Sequence, residues 1–178
     1  MSAKVKYLFK VLLVCVLVNS MMVLTAFADD LDWSRFPLVT PESVLLPPEQ
    51  TRSVIHYRPP QRGSIIAGAT LSISNEGGGT IGIYAQTTAY YPLDKCKMRI
   101  YLDRWYEDKK SWEMVDYWDI TVSKDDNPDS EITMPTVAFD VKGQPTGYYY
   151  RLRGLHVVWL GGTSEGFSTQ TDGILITK

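Results

Sequence analysis

Apolar and polar residues alternate with a period of two through most of the chain after Gly63. Ile65, Leu71 and Ile73 recur in phase between small or polar residues, and Cys96 begins a similar run toward Trp105. A period of two places successive side chains on opposite faces of an extended strand. Beyond Gly63, stretches of ten or more residues lack the helical period. The pattern therefore predicts an all-β domain over residues 63–178.

Turn signals divide this domain into seven predicted strands. They cover residues 65–73, 81–85, 95–105, 112–123, 137–141, 148–160 and 168–177. Seven short strands separated by turns are typical of an antiparallel immunoglobulin-like β-sandwich, in which the third, sixth and seventh strands share one sheet. The apolar phase changes at Gly154, which predicts a glycine bulge that turns His156 outward.

The segment Pro145–Arg153 resembles the beginning of the sixth strand in fibronectin type III and related sandwiches. The resemblance makes Tyr150 the corner tyrosine and Leu152 the next core residue. The whole chain also resembles an uncharacterised family of small secreted bacterial proteins, a domain of unknown function, through Tyr150–His156 and Ser168–Gly173. This second resemblance implies export and a sandwich fold, and it carries no activity.

Two segments precede the predicted domain. Residues 1–28 have a basic beginning, an apolar stretch over 11–26 and the small residues Ala26 and Ala28, which is the layout of a signal peptide cleaved before Asp29. The alternative is an uncleaved N-terminal membrane anchor. Residues 29–62 hold six of the ten prolines and none of the 13 glycines. They are predicted to form an extended tail or tether without a strand ladder.

Charge and cysteine content narrow the class of protein. Removing the three lysines of residues 1–28 leaves 15 basic and 20 acidic residues, a net charge of −5. This composition disfavours nucleic-acid binding and, after cleavage, membrane binding. Only Cys96 would remain, so an intramolecular disulfide is excluded. Its place in the alternation predicts a buried thiol.

Catalytic, metal and cofactor motifs are weak in this sequence. Only His56 and His156 are present, and neither lies in a recognisable catalytic motif. We therefore expect a protein that is not an enzyme and uses no cofactor, with a small secreted hydrolase as an alternative. The alternating oxygen ligands Asp125, Asn127, Asp129 and Glu131 form a weak Ca²⁺ candidate, since glycine and glutamate are missing at the EF-hand positions that require them.

The first candidate ligand surface is the outward face of the third and sixth strands. Its residues are Arg99, Tyr101, Tyr149, Arg151 and Arg153. Arginines between tyrosines are suited to an anionic envelope polymer or an extracellular partner protein. The alternative is that Asp103, Glu113 and Asp119 neutralise these arginines across the strands.

The second candidate surface is aromatic. Trp105, Tyr106, Trp112 and Tyr117 surround the hairpin between the third and fourth strands and are suited to stacking on sugar rings. The alternative is that they cap the open end of the core. The sequence thus predicts a secreted, non-catalytic binding or structural domain of unknown ligand, with a carbohydrate-binding module as the alternative.

Overall fold

The computed structural model describes residues 31–36, 42–58, 65–126 and 128–178. The chain divides into two compact units, residues 1–35 and 36–178. The predicted signal peptide, residues 1–28, lies outside the described residues. In the first unit, Trp33–Arg35 forms a 3-10 turn, and the carboxylate of Asp32 accepts a hydrogen bond from the Ser34 hydroxyl at 2.6 Å. Within the described ranges, no helix is long and apolar enough to cross a membrane.

The second unit is built from two antiparallel β-sheets. Its described residues form nine strands: β1 Arg52–Tyr57, β2 Ile66–Gly77, β3 Thr80–Ala89, β4 Lys95–Tyr106, β5 Ser111–Ser123, β6 Thr136–Val141, β7 Tyr148–Leu160, β8 Thr163–Gln170 and β9 Ile174–Ile176. Sheet one has the order β1-β2-β3-β6. Sheet two has the order β5-β4-β7-β8, and β9 pairs with the beginning of β7. The prediction of an all-β protein is confirmed, and the prediction of seven strands is wrong.

The first additional strand, β1, lies inside the segment that was predicted to be a tail without a ladder. Residues 52–57 pair antiparallel with Ala69–Ser74 of β2. The prolines of this segment stop at Pro48 and resume at Pro59, so β1 keeps every backbone N–H and can join the edge of a sheet. The second additional strand arises because the last predicted strand is interrupted near Thr171 and continues as β9.

The core lies between the inner faces of the two sheets. Leu71, Ile73 and Ile83 from sheet one face Met98 and Ile100 from sheet two, and all five are buried. Across the layers, the rings of Trp118 and Phe139 meet edge to face with centroids 5.2 Å apart. The predicted burial of Cys96 is confirmed.

Tyr150 forms the corner that the fibronectin-like resemblance implies. Its ring is completely buried, and its hydroxyl donates a hydrogen bond to the carbonyl of Pro145 at 3.1 Å. Leu152, two residues later on the same face, is also fully buried. The corner therefore anchors the loop before β7 to the core.

The predicted glycine bulge in β7 is wrong. The register between β4 and β7 is continuous through Ile100 and Gly154, so His156 points into the core and is fully buried. A Cβ at Gly154 would lie 2.7 Å from the Thr169 hydroxyl and 3.0 Å from the His156 ring nitrogen Nε2. Glycine is therefore required here by close packing against the histidine, and not by a change of strand phase.

A bulge occurs in β5 instead. Leu102 pairs with Asp116 and Asp103 pairs with Met114, so Val115 is an extra residue. One extra residue reverses the face of every side chain beyond it. Met114, which the alternation placed on the core side, is therefore outward and 53% exposed.

A short N-terminal strap, residues 43–46, forms a backbone bridge to Gly173. The N–H of Leu46 donates to the carbonyl of Gly173 at 2.8 Å, and the N–H of Gly173 donates to the carbonyl of Val44 at 2.9 Å. The Ser43 hydroxyl donates to the carbonyl of Thr171 at 2.9 Å. The strap pairs in parallel with residues that lie at the other end of the chain.

Candidate ligand-binding surface

The outer face of sheet two brings together the five residues of the first candidate surface. Arg99 and Tyr101 project from β4, and Tyr149, Arg151 and Arg153 project from β7. The register pairs Tyr101 with Arg153, and Asp103 with Arg151. Paired residues of adjacent strands share a face of the sheet, so the alternation predicted from sequence delivers these side chains to one surface.

Asp103 lies at the centre of this surface and is only 1% exposed. Its carboxylate accepts a hydrogen bond from Arg151 Nε at 3.0 Å, and two from Arg153, at 2.6 Å from Nε and 2.8 Å from Nη2. Burial lowers the pKa of Arg151, and the hydrogen bond to Asp103 opposes that shift. We call these three residues the Asp103 cluster.

The remaining arginine of the set is paired on the neighbouring strand. Arg99 grips Asp119 of β5 in a bidentate contact, with Nε at 2.6 Å and Nη2 at 2.5 Å from the two carboxylate oxygens. The hydrogen bond to Asp119 raises the pKa of Arg99. All three arginines of the candidate surface therefore already bind carboxylates of the protein itself.

Each of these guanidinium groups also lies against an aromatic ring. Arg99 lies 5.0 Å from the ring centroid of Tyr117, Arg153 lies 4.9 Å from Tyr101, and Arg151 lies 4.6 Å from Trp112. Such cation–π contacts contribute about 0.5–1 kcal/mol at exposed sites and about 2 when desolvated. The arginines thus hold the rings in place between the strands.

The four aromatic residues of the second candidate surface divide between two faces. Trp105, Trp112 and Tyr117 lie on the outer face of sheet two, and Tyr106 lies on the inner side. The rings of Trp105 and Trp112 meet edge to face at 5.4 Å, and both are half-buried. Trp112 also packs over Gly173, where a Cβ would lie 2.5 Å from the ring.

Tyr117 and Met114 are the exposed members of this outer surface. Tyr117 is 49% exposed, and its ring lies 6.2 Å from that of Tyr101 across β4 and β5. We call Tyr101, Trp105, Met114 and Tyr117 the aromatic face. Sequence reasoning missed Met114, because nothing in the alternation marks the bulge at Val115.

Sheet one carries a further surface, which the sequence did not predict. A shallow depression of about 490 Å³ on its outer face is lined by Arg52, Val54, His56, Thr70, Tyr84 and Gln86. The polar side chains pair within the sheet: His56 Nδ1 lies 2.9 Å from the Thr70 hydroxyl, and Arg52 Nε donates to the Ser72 hydroxyl at 3.1 Å. Half of this surface comes from β1, the strand that the proline-rich segment concealed.

His156 and Cys96 belong to the interior. His156 Nδ1 lies 2.8 Å from the Thr87 hydroxyl, Nε2 lies 2.9 Å from the Thr169 hydroxyl, and the imidazole stacks on Phe167. Burial lowers the pKa of His156 to about 3 and raises the pKa of the Cys96 thiol to about 12. Both groups are therefore uncharged at neutral pH and have no contact with solvent.

The acidic loop after β5 contains the weak metal candidate. Asp125, Asp129 and Glu131 are exposed, and Asn127 lies outside the described residues. Among the side chains that the structure describes, no three of the His, Cys, Asp or Glu type converge on a possible metal position.

No protein-family model matches the chain, and no curated protein matches it at a significant level.

Proposed function

We propose that the protein is an exported, non-catalytic binding domain, and that a neutral glycan at or outside the cell envelope lies against its aromatic face. The observation that carries the proposal is the half-exposed ring of Tyr117, held between Tyr101 and the paired Arg99. Exposed aromatic rings in fixed positions provide a flat apolar surface at low entropic cost. Sugar rings have matching apolar faces.

The spacing of the rings favours an extended ligand. Tyr101 and Trp105 lie four residues apart on β4, which corresponds to about 13 Å at 3.3 Å per residue. Met114 lies on the outer face between the rows of these two rings. A chain of sugars aligned with β4 would touch both rows.

The pairing of the arginines argues against the anionic polymer as the ligand of this face. Arg99, Arg151 and Arg153 would have to leave Asp119 and the nearly buried Asp103 to grip a new anion. Removing a partner from a buried ion pair is costly. The arginines instead pack against the aromatic rings and support them. The alternative of a secreted hydrolase is not supported by His156, because this side chain is buried and cannot reach a substrate.

The proposal is tested with the purified protein on a glycan array and with insoluble cell-wall polysaccharides. Tyr117→Ala is expected to weaken binding about tenfold, the equivalent of about 1.4 kcal/mol for one ring contact. Tyr91→Ala is the matched control, because Tyr91 is 59% exposed in the loop between β3 and β4, outside the aromatic face. Equal losses in the two variants, or no retained glycan, would refute the proposal.

Export is tested separately. The expected product outside the cytoplasm begins at Asp29, which N-terminal sequencing of the secreted protein detects. A product that retains residues 1–28 in the membrane fraction contradicts cleavage and supports the anchored alternative.

We also propose that the fold is related to the immunoglobulin-like sandwiches. The adjacency of β4, β7 and β8 and the Tyr150 corner support this relationship. The difference is β3, which follows β2 in a hairpin and separates β2 from β6.

A further inference from the structure

Arg104 differs from the other half-buried or buried arginines that the structure describes. Arg99, Arg151 and Arg153 each bind a carboxylate, whereas Arg104 makes no ion pair with the residues described. Its Nε is buried and has no hydrogen-bond partner. A buried N–H of a charged group without an acceptor costs several kcal/mol and calls for an explanation.

Two tyrosine rings surround this guanidinium on the inner side of the sheet end. Its central carbon lies 4.7 Å from the ring centroid of Tyr106 and 5.0 Å from that of Tyr148. Nη2 donates a hydrogen bond to the Tyr106 hydroxyl, and the Tyr150 hydroxyl is a second hydrogen-bond partner of the guanidinium; both are neutral acceptors. We call Arg104, Tyr106 and Tyr148 the Arg104 cluster.

The neighbouring carboxylate does not neutralise Arg104. Glu113 is the partner of Arg104 across β4 and β5, but its Oε1 accepts a hydrogen bond from Lys109 at 2.7 Å. Lys109 itself lies 5.1 Å from the ring centroid of Tyr106. Glu113 is therefore paired with Lys109, and Arg104 keeps its own single positive charge.

We propose that the Arg104 cluster binds the carboxylate of a small organic monoanion. The fork formed by Nε and a terminal nitrogen matches the two oxygens of a carboxylate. A single net charge matches a monoanion, and Glu113 disfavours a dianion such as a phosphate monoester. The ring of Tyr148 lies against the guanidinium and Tyr148 is 45% exposed, so a ligand would have to turn this ring aside to reach Nε and would then pack its apolar or aromatic part against the ring.

This inference is independent of the proposed glycan binding, because the Arg104 cluster and the aromatic face project from opposite sides of sheet two. Loss of one activity is not expected to alter the other. A Tyr117→Ala variant that no longer retains glycan still binds the monoanion.

Benzoate is the probe, and the Nε–Hε resonance of Arg104 in a ¹H–¹⁵N spectrum is the readout. We expect a saturable shift of this resonance with benzoate and none with benzamide, which has the same shape without the charge. Arg104→Gln lacks the Nε–Hε signal, so its binding is followed through the backbone amide resonances of Tyr106 and Tyr148, and it is expected to be at least about tenfold weaker. Glu113→Gln is expected to strengthen binding, because a negative charge beside the site is removed. Arg52→Gln, at an exposed arginine of sheet one, is the control and leaves the affinity within about twofold.

Three outcomes overturn the proposal. The first is the absence of a saturable shift with benzoate, and the second is an equal shift with benzamide. The third is tighter binding of inorganic phosphate than of benzoate at the same resonance. The wild-type titrations decide the matter even where Arg104→Gln fails to fold.

Discussion

Replacing Asp103 by asparagine tests whether the Asp103 cluster stabilises the sheet as the geometry implies. The carboxylate is 1% exposed and accepts three hydrogen bonds from two guanidinium groups. Asparagine loses the charge and retains one acceptor oxygen, which at the Oδ2 position keeps both Nε contacts, while the charge-assisted hydrogen bond from Arg153 Nη2 to Oδ1 is lost at about 1.5–3 kcal/mol. Breaking a buried ion pair costs about 3–5 kcal/mol. We expect the free energy of unfolding to fall by about 4 kcal/mol.

The measurement is urea unfolding followed by tryptophan fluorescence, with the thermal midpoint as a second observable. A loss of this size lowers the melting temperature by roughly 10 °C for a chain of this length. Asp119→Asn is the matched control, because the Asp119 side chain is 45% exposed and its pair with Arg99 lies at the surface. Exposed pairs contribute about 0–1 kcal/mol, so this variant should remain close to wild type.

A combined variant separates uncompensated charge from lost packing. Asp103→Leu with Arg151→Met and Arg153→Met removes every charge of the Asp103 cluster, and should recover most of the stability lost in Asp103→Asn. Losses of unfolding free energy in Asp103→Asn and Asp119→Asn that agree within about 1 kcal/mol would show that the Asp103 cluster stabilises the sheet no more than a surface ion pair.

Three further predictions concern the interior. Burial lowers the pKa of His156 to about 3, so between about pH 6.5 and pH 3 this histidine is protonated in the unfolded chain and neutral in the folded protein. The free energy of unfolding therefore falls by up to about 1.4 kcal/mol for each pH unit as the pH drops through this range. The fall should be smaller in His156→Gln, and urea midpoints measure it. Because burial raises the pKa of Cys96 to about 12, its thiol should react with a disulfide reagent at pH 8 only on unfolding, measured in a Cys15→Ser background. Tyr150→Phe removes the hydroxyl that donates to Pro145 and that also hydrogen-bonds Arg104, and should lower the free energy of unfolding by at least about 1 kcal/mol in the same urea assay.

Each of these predictions has its own control or contradicting result. Equal dependence of stability on pH in wild type and His156→Gln would contradict the first prediction. Rapid labelling of Cys96 in the native protein would contradict its burial. A Tyr150→Phe variant no less stable than Tyr149→Phe would show that the corner hydrogen bond contributes nothing.

Alternation predicted the faces of β4 correctly because a regular strand obeys the period of two without interruption. Cys96, Met98 and Ile100 are inward, and Arg99 and Tyr101 are outward, as the sequence indicates. The sequence did not predict where a strand departs from this period. The bulge at Val115 carries no glycine, and Gly154 marks a site of close packing where the strand remains regular.

The Asp103 cluster and the Arg104 cluster depend on cross-strand register, which local sequence does not determine. Asp103 and Arg104 are neighbours in β4, yet Asp103 receives two arginines from β7, whereas Arg104 pairs with no carboxylate among the described residues. Glu113, which lies opposite Arg104 across the strands, pairs with Lys109 of the hairpin loop. β1 was not predicted, because the high proline content of residues 29–62 indicated an extended tail. The prolines lie on both sides of Arg52–Tyr57, and this proline-free stretch forms the strand.

The N-terminal strap imposes an order on how the chain can fold. Ser43 must wait for 128 further residues to be synthesised before its acceptor on Thr171 exists. Contacts of such sequence separation form late, because a long loop must close first. The strap therefore reports whether synthesis has run to Gly173. A product truncated before that point leaves residues 43–46 without the partners that hold them in the folded protein.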